Sequence, residues 1–372
     1  MKVFEVSRRA LIAGGIGLSA NVAGLGAMLA RAAEGTSALP DIGGQGPWEY
    51  WAANEGAGVV RILAAAILSA SPYDTQPWLF RIGRNRIEVL ADSDRNLGSL
   101  DGLRREFYMG LGCAVENACV AAPLQGMSPS VRLLPEPKNG NVAALIELQP
   151  TQSNQHPHYD AIALRHTHRG AYRLDRRVEE ATLNTLAGQA SSPDTKVLFS
   201  YADSPEGQRF TTLMMDATQR ILDVDGLREG RHAGIRSTMT DPSAASDQAL
   251  QKADAGWLEA TRAVACATAS AFGMIMVHGS RQDHRLHMEA GRLWQRIHLE
   301  GTSRSVAMQP MNHFIEIIDY ETVSRGTSPT ADRLQLSTDW TGWQPIFGFR
   351  LGYADAPAPR SSRRPLSSVV VS

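Results

Sequence analysis

The pattern of apolar and polar positions divides the chain into stretches with a helical period and short stretches that alternate. Apolar residues recur at helical spacing over 59–68 and fill 103–122, which Pro123 ends. Alternating residues at 78–82 and 87–90 predict two strands. Further strands are predicted at 131–134, 142–148, 196–200 and 345–353. Helices mixed with meander strands indicate the α+β class, with helices packed on sheets.

The second half of the chain is richer in predicted helix. Helices are expected at 179–190 and 206–224, and near-continuous helix at 247–299 with its apolar portion at 257–276. Between them, the charged stretch 225–242 is predicted to be a loop that forms a lid or excursion. A polar linker at 151–157 separates this region from the first half.

The amino-terminal residues 1–33 have the pattern of a targeting segment. Arg8 and Arg9 precede an apolar run over 10–30, and Ala30-Arg31-Ala32 provides a candidate cleavage site. This pattern predicts a twin-arginine export signal and a periplasmic or otherwise exported protein. A membrane anchor is the alternative, but the glycines in the run make it weakly hydrophobic.

Composition excludes several classes of function. The net charge of −1 gives no electrostatic basis for binding nucleic acid. The three cysteines, Cys113, Cys119 and Cys266, are too few for a disulfide scaffold and are expected in the core. No Gly-x-Gly-x-x-Gly motif follows a predicted strand, which argues against a Rossmann reductase.

The segment 71–80, Ser-Pro-Tyr-Asp-Thr-Gln-Pro-Trp-Leu-Phe, is predicted to be a rigid loop between a helix and a strand. Pro77 fixes its own φ and is expected to hold Gln76 in extended geometry. Amides that point outward beside Trp78 would suit a flat heterocycle with polar edges. The alternative is a structural loop bounded by prolines and held in the core by Trp78.

The segment 165–172 has the chemistry of a phosphate site. Arg165 and Arg169 can each bind phosphate in bidentate fashion, and Thr167 adds a neutral donor. A solvated basic turn is the alternative. Two His-x-His pairs, at 156/158 and 166/168, raise the possibility of a metal site, but no metal is expected because no cysteine or carboxylate set accompanies them.

These segments resemble the nitroreductase family, and in particular its two-domain, Acg-type FMN-binding branch, from about Ala52 to Pro365. The resemblance implies FMN as cofactor and a nitroreductase-like fold that is a fused pseudo-dimer of two related halves. The halves would span 34–155 and 156–372, the latter with most of a single FMN site. In single-domain members the phosphate arginines precede the Gln-Pro-Trp loop, whereas here they follow it, as expected if the first half supplies a partner's loop.

The resemblance also implies roles for individual residues. Expected to contact the phosphate or the flavin tail are Arg165, His166, Thr167, Arg169, Arg363 and Arg364. Expected beside the ring are Asp74, Gln76, Gln309, Pro310 and Met311. The chain departs from the branch at Asp74, where Asn is usual, and at Arg304-Ser305, where Gly-Leu is common. An ionised Asp only accepts hydrogen bonds, which would change the surroundings of the flavin.

The predicted function is therefore that of an exported FMN-dependent nitroreductase-like oxidoreductase that passes electrons to a small organic acceptor. The export machinery would be a transient partner, and the mature protein is expected to be a monomeric pseudo-dimer. No catalytic residue is assigned, since the flavin performs the redox chemistry. The alternative function is that of an FMN storage or sequestering protein with little turnover.

Overall fold

The computed structural model describes residues 39, 41, 43–135, 141–237, 245–334 and 341–372. The predicted export signal at 1–33 and most of the predicted turn at 138–141 lie outside these residues. Among the helices that are described, none combines the length and the apolar character needed to cross a bilayer.

Helices and strands are interspersed along the chain. The helices are α1 Gly46–Ala52, α2 Gly58–Ile67, α3 Arg105–Ala121, α4 Glu180–Ala187, α5 Pro205–Asp223, α6 Asp225–Ser237, α7 Asp247–Ala260, α8 His284–Ser303, α9 His313–Arg325, α10 Pro329–Arg333 and α11 Leu366–Val369. The strands are β1 Trp78–Gly83, β2 Arg86–Ala91, β3 Met127–Leu133, β4 Val142–Pro150, β5 Thr195–Tyr201, β6 Ala271–His278, β7 Ala307–Pro310, β8 Trp343–Gly352 and β9 Val370–Val371.

The strands form two sheets whose topology repeats. The first sheet has the order β3-β4-β2-β1-β9 and the second the order β5-β6-β8-β7. Within each half, the four consecutive strands therefore lie in the order first, second, fourth, third, with antiparallel pairing throughout. In both halves a long helix, α3 or α8, follows the second strand. The prediction of an α+β fold built from two related halves is confirmed.

Helices α3 and α8 cross in close backbone contact at the centre of the molecule. A Cβ on Gly112 would lie 2.2 Å from the carbonyl oxygen of Met288, and one on Gly291 would lie 2.1 Å from that of Met109. The contact is reciprocal, because each helix carries the same Met-x-x-Gly spacing and its glycine packs on the other helix's methionine backbone. Only glycine permits helices to approach this closely.

Polar groups fix the register of this crossing. Glu116 accepts hydrogen bonds from Arg292 Nε at 2.8 Å and Arg296 Nη1 at 3.0 Å. Gln295 donates to Asn117 Oδ1 at 2.7 Å, and its own Oε1 accepts from the Ala70 N–H at 3.3 Å. The crossing is therefore tied to the residues that lead into the loop before β1.

The carboxyl-terminal segment packs on the first half, although the predicted boundary at 155/156 assigns it to the second. Strand β9 pairs in parallel with β1, and Gly44 and Arg363 exchange backbone hydrogen bonds at 2.8–2.9 Å. Trp48 Nε1 donates to the Ser361 carbonyl at 2.8 Å. These contacts carry Arg363 across the molecule to the first half.

Two predictions in the second half are wrong. Residues 271–278, predicted to be helical, form the inner strand β6 between β5 and β8. Such a strand is buried on both faces and its residues do not alternate between apolar and polar. Its sequence pattern therefore cannot be distinguished from that of a buried helix. The predicted loop at 225–242 contains helix α6, whose apolar positions at Leu227, Gly234 and Ile235 lie among charged residues. The remainder of that stretch, 238–242, lies outside the described residues.

The helix crossing predicts a contrast between two glycine substitutions. Replacing Gly112 with Ala places a methyl group against the backbone of α8, so we expect a loss of about 3 kcal/mol in the free energy of unfolding. Replacing Gly256 with Ala on the exposed face of α7, where a Cβ meets nothing within 4 Å, should stabilise the protein by about 0.5–1 kcal/mol. Urea unfolding measures both, and equal effects would contradict the close crossing.

Candidate functional site

A cavity of about 480 Å³ lies where the two halves meet. Its walls come from residues 70–74 before β1, helices α3, α6, α7, α8 and α9, the 165–169 segment, the end of β7, strand β8 and the carboxyl-terminal segment. Of the predicted site residues, it is lined by Asp74, Arg165, His166, Thr167, Arg169, Gln309, Pro310 and Arg363. Gln76, Met311 and Arg364 are not among the lining residues.

The loop before β1 has an unusual backbone. Tyr73, Asp74 and Gln76 have φ values of 46°, 51° and 49°, in the left-handed region that non-glycine residues seldom adopt. The conformation is held by the Gln76 N–H, which donates to Ser71 Oγ at 3.1 Å, and by Gly110, whose Cβ would lie 3.1 Å from Pro72. Backbone strain of this kind concentrates at functional sites, where the surrounding structure must maintain it.

The expectation of extended geometry at Gln76 is therefore wrong. Pro77 disfavours the right-handed helical region for its neighbour, and the hydrogen bond to Ser71 selects the left-handed region instead of the extended one. The Gln76 side chain is 6% exposed and does not point outward. Its Oε1 accepts from the Arg364 N–H at 2.8 Å, and its Nε2 donates to the Ser362 carbonyl at 3.3 Å. Gln76 thus clamps the carboxyl-terminal segment to the loop.

Arg364 takes part in the same clamp. Its guanidinium donates to Asp92 and to the Gln76 carbonyl, both at 3.2 Å. Trp78, expected beside a heterocycle in one interpretation, is fully buried in the first half's core, as the structural alternative requires. This network positions Arg363, the neighbour of Arg364, in the wall of the cavity.

Arg165 and Arg363 are two cationic side chains that line the cavity. Both are nearly buried, at 2% and 3% exposure, and the Nε of each has no hydrogen-bond partner among the described residues. Arg165 donates to the Leu68 carbonyl at 2.9 Å, and Arg363 pairs with Asp74 at 3.0 Å. Burial and the charge of Arg363 lower the pKa of Arg165 to about 10. Of these two buried cations only Arg363 is paired with a carboxylate, which leaves a net positive charge that an anion would neutralise.

The rest of the arginine motif lies beside this pair. Burial and the charge of Arg165 lower the pKa of His166 to about 4, so the imidazole is neutral at pH 7. Its ring meets Trp48 edge-to-face, with centroids 4.5 Å apart. Thr167 and Arg169 line the cavity, with Arg169 more exposed than Arg165. The predicted segment thus presents a hydroxyl, a neutral imidazole and two guanidiniums to one space.

Gln309 and Pro310 reach the cavity from the end of β7, and Arg350 fixes their position. Arg350 Nε donates to Gln309 Oε1 at 2.8 Å, and Nη2 donates to the Gly170 carbonyl at 2.7 Å. One buried side chain therefore connects the arginine motif to Gln309. Met311, by contrast, is 1% exposed in the core around α5 and α9. The sequence signal for Arg350 was only its position within an apolar strand, where an unpaired charge is unusual.

Several further lining residues had not been recognised from the sequence. They are Tyr73, Glu106, Arg231, Trp257, His313 and Glu316. Burial and the neighbouring Glu106 raise the pKa of Glu316 well above its usual value. Burial and Arg231 lower the pKa of His313 to about 3, so this ring is neutral. Glu106 lies inside a strongly apolar helix, a signal that could have marked it.

The histidine pairs do not assemble with other ligands. No group of three or more His, Cys, Asp or Glu side chains suited to a metal occurs among the described residues. His158 instead pairs with Glu300 at 2.8 Å. The cysteines are free thiols, and burial raises the pKa of Cys113, which lines the cavity, to about 12.

Comparison with known proteins places this site in context. Two curated Mycobacterium tuberculosis proteins, from strains H37Rv and CDC 1551, carry the name NAD(P)H nitroreductase as a provisional assignment. Each is 27% identical over 325 residues, which span 83% of this chain and 90% of the relative. The chain is similar to nitroreductases. This similarity supports the family resemblance that the motifs predict, whereas no family model matches the chain.

Solved structures with related features include an FMN-dependent nitroreductase from Mycobacterium smegmatis in complex with NADPH. It is 17% identical, with a TM-score of 0.36, and the match covers 53% of this chain and 90% of that one. An FMN complex from Desulfovibrio desulfuricans, described as a nitroreductase, is 15% identical with a TM-score of 0.37, covering 59% and 98%. Each of these chains thus matches little more than half of this one.

Proposed function

We propose that this protein is an FMN-dependent, nitroreductase-like oxidoreductase that is exported through the twin-arginine pathway and passes electrons to an organic acceptor. The observation that carries the proposal is the pair of buried arginines, Arg165 and Arg363, which line the cavity and whose Nε atoms have no hydrogen-bond partner among the described residues. The name of the M. tuberculosis relatives supports the redox class. The Arg8-Arg9 segment supports export to the periplasm or beyond.

The residues present fit the phosphate of FMN. A phosphate dianion would neutralise the excess charge of Arg165 and Arg363 and accept hydrogen bonds from their orphaned Nε–H groups. Thr167 and Arg169 would add a hydroxyl and a third guanidinium. Arg364, proposed from the sequence, would act indirectly, since its contacts to Gln76 and Asp92 position Arg363.

Gln309 and Pro310 would hold the flavin ring. Because Gln309 Oε1 already accepts from Arg350, the amide nitrogen is the group it can offer to a ligand. The ring would thus meet a hydrogen-bond donor whose orientation is fixed. When bound, FMN would supply the transfer of two electrons, while the protein supplies binding, orientation and electrostatics.

Asp74 distinguishes this chain from its branch. Its carboxylate takes one hydrogen bond of Arg363 and places a negative charge beside the proposed phosphate site. It therefore competes with the phosphate for Arg363 and repels it. Asp74 would then lower the affinity for FMN rather than contribute to it.

The phosphate assignment predicts ligand-specific effects. Replacing Arg165 with Ala should weaken FMN binding by about ten- to a hundredfold, because a charge-assisted hydrogen bond is worth about 1.5–3 kcal/mol. Riboflavin, which has no phosphate, should bind almost unchanged, whereas Gln309→Ala should weaken both ligands alike. Fluorescence titration of the apo-protein measures these affinities and should give one FMN per wild-type chain.

Arg84→Ala is the control for lost charge, since this arginine is exposed in the turn between β1 and β2. The phosphate assignment would be wrong if Arg165→Ala lost both ligands equally while remaining folded. Failure of the wild type to bind FMN at all would overturn the proposed function.

Replacing Asp74 with Asn should tighten FMN binding by about tenfold, equivalent to about 1.4 kcal/mol, because the competing charge is removed. Riboflavin affinity should change by less than threefold, since its neutral tail does not meet Arg363. The same titration measures both. Weaker FMN binding in the Asn variant would show instead that the carboxylate supports the site.

Turnover separates the oxidoreductase from the alternative, an FMN storage protein. An oxidoreductase whose site admits an acceptor should be reoxidised by quinones or nitroaromatics faster than free reduced FMN at the same concentration. Anaerobic stopped-flow mixing of the dithionite-reduced holoprotein measures this rate. A holoprotein slower than free reduced FMN with every acceptor would identify storage.

A further inference from the structure

Arg350 is a buried cation that lies behind the cavity wall rather than in it. It stands on β8, its side chain is fully buried, and it is not among the residues that line the cavity. Its guanidinium stacks on the ring of Tyr172, 4.0 Å from the ring centroid. In this respect it differs from Arg165 and Arg363, which line the cavity. Any influence of Arg350 on a ligand is therefore exerted through its neighbours.

Neutral oxygen atoms accept the hydrogen bonds of Arg350. Nε donates to Gln309 Oε1 at 2.8 Å, and Nη2 donates to the Gly170 carbonyl at 2.7 Å. Further acceptors, at 3.2–3.4 Å, are the carbonyls of His168, Val264 and Ala265 and the hydroxyl of Thr268.

The charge of Arg350 is not compensated by a carboxylate. No Asp or Glu of the part of the chain that the structure describes forms an ion pair with it. The titratable groups that influence its pKa are Tyr172 and Cys266. Burial raises the pKa of Tyr172 and that of Cys266 to about 11, so both are neutral at pH 7. Arg350 is thus a full positive charge surrounded by dipoles.

The chain forms an irregular segment beside this cation. Residues Thr261–Cys266, which follow α7, are a π-helical turn, and the Val264 and Ala265 carbonyls that accept from Arg350 belong to it. Such turns are rare and are frequent at functional sites. A buried cation without a carboxylate partner also costs free energy. Departures of this kind from the usual pattern of a folded protein are expected where the group has a function.

Gln309 connects this charge to the cavity. Its side chain lines the cavity, while its Oε1 accepts from Arg350. A cation that donates to the amide oxygen polarises the amide and strengthens its N–H groups as donors. The positive charge of Arg350 therefore acts on the cavity through a polarised amide, which favours an anionic group over a neutral group of the same shape.

We infer that Arg350 is a positioning residue that raises the reduction potential of the flavin, and that it acts through the amide of Gln309. The inference rests on the proposed function, in which Gln309 lies beside the ring. Two electrons and one proton convert the neutral oxidised ring into an anion at neutral pH. A fixed positive charge nearby therefore stabilises the reduced form more than the oxidised form. Arg350 thus increases the ratio of the affinity for reduced FMN to the affinity for oxidised FMN.

Replacing Arg350 with Met removes the charge and keeps a long, unbranched side chain. We expect the affinity ratio to fall about tenfold, which for a two-electron couple is a reduction potential lower by about 30 mV. Anaerobic titration of the holoprotein with dithionite as the source of electrons, in the presence of a reference dye, measures this potential. Riboflavin should show the same shift, because the effect is on the ring and not on the phosphate.

Arg61→Met is the matched control. Like Arg350, Arg61 is buried, stacks on an aromatic ring and donates to neutral oxygens. Its acceptors are the carbonyls of Tyr50, Trp51 and Glu55 and the hydroxyl of Tyr159, none of which lines the cavity. This variant loses the same charge and should leave the affinity ratio unchanged within twofold. Arg350→Lys, which keeps the charge, should remain within threefold of the wild-type ratio.

Gln309→Ala is a second test, made at the cavity wall and independent of whether Arg350→Met folds. It interrupts the connection, so reduced FMN should lose about ten times more affinity than oxidised FMN. An unchanged ratio in Gln309→Ala or in folded Arg350→Met would overturn the inference, as would an equal fall in Arg350→Lys and Arg350→Met. These outcomes leave the proposed function intact, which fails instead if the wild type binds no FMN.

Discussion

The close backbone contact between helices α3 and α8 organises the centre of this molecule. Gly112 and Gly291 allow α3 and α8 to meet at the backbone, so each half buries its long helix against the other. Because protein interiors tolerate little adjustment of volume, this contact fixes the relative position of the two sheets. The repeated Met-x-x-Gly spacing makes the contact the same from both sides. The pseudo-two-fold symmetry of the fold is therefore present already in this one pair of helices.

The same crossing forms part of the cavity wall. Met109 contacts Gly291 through its backbone and also lines the cavity, as do Cys113 and Trp294 from the two helices. The strained loop before β1 also lines the cavity, and Ala70, which leads into this loop, donates a hydrogen bond to Gln295 of α8. The polar groups of the site are thus supported by rigid helices. Arg350 in addition connects Gln309 to the backbone at Gly170 through two hydrogen bonds. Positioning of this kind reduces the reorganisation that a ligand must impose.

The sequence predicted the parts of the site that are carried by compact local motifs. Arg165 and its neighbours combine charged and hydroxyl groups within five residues, and this pattern can be recognised without knowledge of the fold. Glu316 and Arg231 could not be found in this way, because they are distant in sequence and only the fold brings them into the same cavity. The alternation rule also failed at β6, where burial on both faces removes the polar positions. At Gln76, the extended geometry expected before a proline is replaced by a left-handed one, which a hydrogen bond from the Gln76 N–H to Ser71 Oγ holds in place.

Covalent joining of the two halves has a consequence for how the site responds to dilution. In an enzyme whose pocket is shared between separate subunits, the pocket disappears as the dimer dissociates, so stability depends on protein concentration. Here both walls belong to one chain, and the linker keeps the effective concentration of one half near the other at a fixed value. The strained loop and the arginines it faces would therefore remain together even at low protein concentration. Fusion also means that the two halves need not have identical sequences. One half can therefore provide the residues of the anion site while the sequence of the other half changes.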